Sequence, residues 1–96
     1  MTEVTLLEAR QAEVDQYSAN IAMYTTILAT LPTVWPEHLQ SYKGASDEHA
    51  TIATVEDLAD VELLAALWQA DDCKAAIRTE TLERAKAASI LAVLKG

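Results

Sequence analysis

The 96-residue chain contains no Phe, one Cys, two Gly and two Pro, and its residues 44–73 contain no Lys or Arg. Each scarcity excludes something. So few Gly and Pro leave too little turn chemistry for the repeated chain reversals of an all-β sandwich or barrel. The single Cys73 cannot close an internal disulfide, and beside Asp71 and Asp72 it reads as a spectator thiol in a reducing compartment. No apolar run approaches the roughly 20 residues that span a bilayer. The opening stretch MTEVTLLEARQAEV places Glu3, Glu8 and Arg10 where a secretory leader needs an unbroken apolar core, so the expected location is cytoplasmic and away from membranes.

What remains favours helix. Apolar residues make up 51% of the chain but aromatic ones only 5%, so the apolar content is Ala, Leu, Val and Ile. Ala and Leu lead the helix propensity scale, and the length suits one domain whose burial is marginal without a partner. From Thr5 to Leu31 the apolar residues keep a seven-residue beat: Leu7, Val14, Ile21 and Leu28 at one position, and Tyr17, Tyr24 and Leu31 three places after it. That is an a/d seam, interrupted by Arg10, on a helix predicted over about 4–31. Thr5 and Glu8 form a capping-box pair at its start, with Thr2 as an earlier alternative. A helix of this length reaches about 40 Å, too long for so small a chain to surround, so the seam must lie along a second long element.

That second element is predicted over about 55–95, with Thr54 as its N-cap and Leu58, Val61, Ala65 and Trp68 as one apolar stripe. Leu63, Leu64 and Leu67 fall on other sides, so this helix has to be covered on more than one side. A break is expected between 70 and 81, at Asp71 and Asp72 or at Thr79 and Thr81. Lys95 and Gly96 supply the stop. Residues 32–53 form the connection. There Pro32 ends the first helix, Pro36 opens a turn or two of helix stopped by Gly44, and Ser46 is placed to cap a further short one. The fold class is therefore all-α: a long N-terminal helix antiparallel to a long, broken C-terminal helical region, joined by a partly helical hinge, with self-association expected.

Candidate chemistry is confined to the hinge, where WPEHLQSYKGASDEH holds both histidines. Glu37, His38, Asp47, Glu48 and His49 are legitimate metal-ligand types, but each His has its acid as direct neighbour, which sends the two side chains of a helix to different sides. No Ser or Cys nucleophile stands in a recognisable context, and there is no Gly-rich phosphate loop. Catalytic residues, metal ligands and cofactors are all absent from this reading, and a His and carboxylate site is its least favoured alternative.

Charge is more informative. Residues 44–73 carry eight acids and no cation, whereas residues 74–96 carry five cations against Glu80 and Glu83. The simplest expectation is that these two segments lie beside each other, within one molecule or between copies, and neutralise. Direct nucleic-acid binding is disfavoured by a net charge of −8. The leading expectation is a non-enzymatic interaction module, an acidic helical adaptor or assembly factor that presents helix faces to itself or to a protein partner. Tyr17, Tyr24 and Trp68 are its candidate anchors, since Tyr and Trp dominate association hot spots. The runner-up is an acidic inhibitor that imitates a nucleic-acid backbone, with Asp57 and Asp60 facing the basic groove of its target.

Overall fold

The computed structural model describes residues 5–96. In chain order these form helix α1 (Leu6–Ala29), a 3₁₀ helix (Glu37–Tyr42), a short helix α2 (Glu48–Ile52) and helix α3 (Leu58–Lys95), with no strand among the described residues. α1 and α3 pack as an antiparallel hairpin. Asn20 Nδ2 donates to Glu80 Oε2 at 3.3 Å and Arg84 Nη1 to Ser18 Oγ at 3.4 Å, so residue numbers rise on one helix as they fall on the other. At about 1.5 Å per residue the 38 residues of α3 reach about 57 Å, matching the 58 Å long axis of the molecule. α3 is the spine on which everything else is mounted.

The first helix starts where its capping chemistry puts it. Thr5 is extended and its Oγ1 accepts the Glu8 N–H at 3.1 Å, satisfying one of the orphan donors of the first turn. The alternative start at Thr2 lies outside the described residues. At the far end the Thr30 N–H donates to the Ile27 carbonyl and the Leu31 N–H to that of Leu28, and Pro32, with no N–H to offer, begins the departure from helix. The seam behaves as its spacing requires: Val14, Tyr17, Ile21, Tyr24, Leu28 and Leu31 are all half-buried, while Leu7 is exposed.

α3 departs from expectation in three respects. Its N-cap is Asp57, whose Oδ1 accepts the Ala59 N–H at 2.9 Å, rather than Thr54, whose hydroxyl instead donates back to the Thr51 carbonyl at 2.7 Å. The expected break between 70 and 81 is absent: the helix runs uninterrupted from Leu58 to Lys95. Nothing there removes a backbone N–H, and Thr79 and Thr81 sit exposed, where a β-branched residue costs only a few tenths of a kcal/mol. Finally, the apolar stripe is rotated. Leu58 and Ala65 are exposed, and the buried residues are Leu64, Leu67, Trp68, Ala70 and Cys73, followed by Ala87 and Leu91.

That rotation follows from what covers the helix. Around its first turns the connection folds back as a lobe, burying Trp35 and Leu39 against Leu64, Leu67 and Trp68, with Tyr42, Ile52, Val55 and Leu63 packed around them. Pro36 precedes the 3₁₀ helix in extended geometry, and Gly44, at φ +84°, makes the left-handed turn that brings the chain out of it. α2 is capped by Asp47, one residue after the expected Ser46, with the Ala50 N–H donating to its Oδ1 at 3.0 Å. The molecule thus has two unlike halves: a lobe with a closed core, and an arm only two helices thick.

Candidate interaction surface

The arm has no closed core on the α1 side. None of the 24 residues of α1 is buried, because a helix covered by a single neighbour keeps its flanks in water. The exposed large apolar side chains gather toward its free end: Leu6, Leu7, Ile90 and Val93 are 60%, 40%, 41% and 79% exposed. Between the two helices lies a depression of about 270 Å³ lined by Arg10, Glu13 and Tyr17 of α1 and by Glu83, Lys86, Ala87 and Ile90 of α3. Its charges are paired along each helix, Arg10 Nη1 with Glu13 Oε2 at 2.9 Å and Lys86 Nζ with Glu83 Oε1 at 3.1 Å. Both pairs are largely exposed and contribute a few tenths of a kcal/mol.

Helical spacing extends this face. Leu6 stands four residues before Arg10, Tyr24 seven after Tyr17, and Val93 three after Ile90, so all share the side of the arm that carries the depression. The opposite side, marked by the Ser18 to Arg84 hydrogen bond, carries Gln11, Asp15 and Ala88 at the same spacings. One side of the arm carries more of the large apolar groups; the other is mostly small and polar, but holds Leu7 four residues before Gln11 and Ile77 seven before Arg84.

The five residues singled out from sequence do not form one site. Tyr17 and Tyr24 lie half-buried along the arm, one heptad apart. Trp68 belongs to the lobe core at 6% exposure, which leaves little of it for a partner to grip. Asp57 is occupied as the cap of α3. Asp60 Oδ1 lies 3.0 Å from His38 Nε2, the ring N–H donating to the carboxylate across the lobe. The sequence missed Leu6, Ile90 and Val93, although the termini of a heptad seam with no third helix to cover them were a signal for all three.

The hinge histidines part company. His38 faces Asp60, while His49 lines a groove of about 240 Å³ between α2 and α3 with Glu48, Ile52, Ala65, Gln69, Asp72 and the edge of Trp68. Among the described residues no three His, Cys, Asp or Glu side chains converge as metal ligands would. Cys73 is a free, buried thiol, and no helix is long and apolar enough to cross a membrane.

The acidic and basic segments are not neighbours within the molecule, which corrects the intramolecular form of the sequence-based expectation and leaves only pairing between copies. They follow one another along α3, so the charges segregate by half. Residues 32–73, the lobe and the start of α3, hold nine acids against Lys43, a balance of −8. The arm, residues 5–31 with 74–96, holds six cations against five acids, a balance of +1. An acidic head is thereby joined to a nearly neutral arm with an apolar side.

No family model, curated protein or solved structure matches this chain.

Proposed function

We propose that the protein is a non-enzymatic interaction module, a helical adaptor or assembly factor that acts in the cytoplasm by presenting the faces of its α1–α3 arm to itself or to a protein partner. The observation that carries this reading is the arm itself: an apolar heptad seam with no fully buried residue on α1, beside Leu6, Ile90 and Val93 in solvent. A two-helix arm of this kind leaves its flanks available to further helices, which bury them by the same packing that joins α1 to α3. The free Cys73 fits a reducing compartment. The test is affinity capture with the intact chain at 0.3 M salt, alongside a Tyr24→Ala variant. Apolar docking survives that salt and weakens on the substitution. A chain that neither associates with itself nor retains any protein sensitive to Tyr24→Ala has no interaction arm.

The −8 lobe supports a second reading, an acidic surface that occupies the basic groove of a nucleic-acid-binding protein. Its complexes would dissolve at the same 0.3 M salt and weaken with Asp57→Asn and Asp60→Asn. Since Asp57 caps α3 and Asp60 pairs with His38, neither carboxylate is wholly free for that purpose.

A further inference from the structure

We infer that the apolar side of the arm is a two-fold interface between copies of this chain, the two arms crossing antiparallel so that four helices close one core and the acidic lobes stand at opposite ends. This rests on the interaction-module reading and specifies the partner and its orientation. Three observations carry it.

The depression between α1 and α3 is self-complementary in charge. It offers Arg10 and Lys86 beside Glu13 and Glu83, two cations and two carboxylates around Tyr17 and Ile90. An isologous contact sets the same patch against itself, so a patch of balanced sign suits it, whereas a patch of one sign would repel its own copy. Tyr17 and Ile90 within the depression, with Leu6 and Val93 toward the free end, give such a contact its apolar area.

The footprint is of the right size. α1 is 24 residues long, about 36 Å, and two helices side by side are about 20 Å wide, which makes a face of about 700 Å². Stable interfaces bury about 800 Å² per partner.

Orientation follows from the segregated charge. Parallel arms would place two lobes of −8 side by side, within about two helix diameters, where 18 acids would face each other with two Lys43 to offset them. Antiparallel arms pair the neutral parts and hold the lobes far apart. For the whole length of α1 to be covered the two-fold axis crosses its middle, at the edge of the depression and level with about residues 83 and 84 of α3, so the Ala65 positions of the two copies are about 55 Å apart; the parallel arrangement brings them to about 20–25 Å.

The experiment joins light scattering behind size-exclusion chromatography, from micromolar to near-millimolar chain, with spin-label distances from an Ala65→Cys, Cys73→Ser chain. The expected result is a doubled mass, a label distance near 55 Å, and at least a 100-fold weaker dimer for Ile90→Glu, since the exchange removes apolar contact, tips the balanced patch to net negative against its own copy and adds a carboxylate that pairing must desolvate. Ile90 is 41% exposed in the single chain, so unchanged circular dichroism separates this loss from misfolding; Val34→Glu, at 81% exposure on the lobe, keeps the doubled mass. A label distance near 20–25 Å overturns the orientation. A dimer indifferent to Ile90→Glu overturns the face while leaving the interaction-module reading standing. A monomer throughout overturns self-pairing and leaves that reading to the capture experiment with Tyr24→Ala.

Discussion

Leu39→Ala separates a structural hinge from a mere connector. Leu39 sits on the 3₁₀ helix of the connecting segment and is 1% exposed, so truncation removes three carbons from a closed site. At about 0.8 kcal/mol per buried carbon the transfer loss is about 2.4 kcal/mol. Incomplete collapse of Trp35, Leu64, Leu67 and Trp68 around the gap adds to it, giving an expected cost of about 3 kcal/mol. Against the 5–15 kcal/mol typical of whole domains this is a large fraction. The assay is urea unfolding at fixed chain concentration, followed by far-ultraviolet circular dichroism and by the fluorescence of Trp35 and Trp68, which both report from this lobe. With a slope of about 1–3 kcal/mol/M the midpoint falls by about 1–3 M. His38→Ala, one residue earlier on the same 3₁₀ helix with its side chain 61% exposed, provides the contrast: its pair with Asp60 is worth less than about 1 kcal/mol. A Leu39→Ala chain within about 1 kcal/mol of the parent would refute the lobe core as described here.

Two further substitutions examine the turns that place the lobe. Asp57→Ala is expected to cost about 1 kcal/mol through loss of the cap to Ala59, while Thr54→Ala costs a few tenths; the reverse order in urea melts would move the start of α3 back to 54. At Gly44, φ is +84° and nothing lies within 4 Å of an added Cβ, so Gly44→Ala is expected to lose about 1–2 kcal/mol by backbone strain alone. A neutral result in the same melts would mean the turn has relaxed to negative φ.

The all-α hairpin and the seam were legible from local rules. A seven-residue beat over three repeats can only be a helix with a long neighbour, and Val14, Tyr17, Ile21, Tyr24 and Leu28 are half-buried on the α3 side as that beat requires. Thr5, Pro36 and Gly44 act where their own chemistry sends them, because capping and turn formation involve atoms within three or four residues. Two neighbouring rules misled. Thr54 and Asp57 both fit an N-cap, and the choice went to the residue from which the chain leaves the lobe. The acid pair and the two Thr of α3 suggested a break, yet those are weak local preferences, and packing on both halves of the helix outweighs them.

Other features needed the tertiary structure. Which of Leu58, Leu63, Leu64 and Leu67 is buried depends on where Trp35 and Leu39 come to rest, and those residues are about 25 positions distant in sequence. The candidate anchors divided for the same reason: Trp68 went to the lobe core, whereas Tyr17 and Tyr24 stayed on the arm. Charge shows the division most clearly. The sequence by itself determined that an acidic block precedes a basic one, since that is a matter of order along the chain. Only the fold decided that both ride on one unbroken helix instead of facing each other across a hairpin, because it wrapped the connection around the acidic end and laid α1 along the basic one, leaving the net charge on the lobe and the uncovered apolar side on the arm.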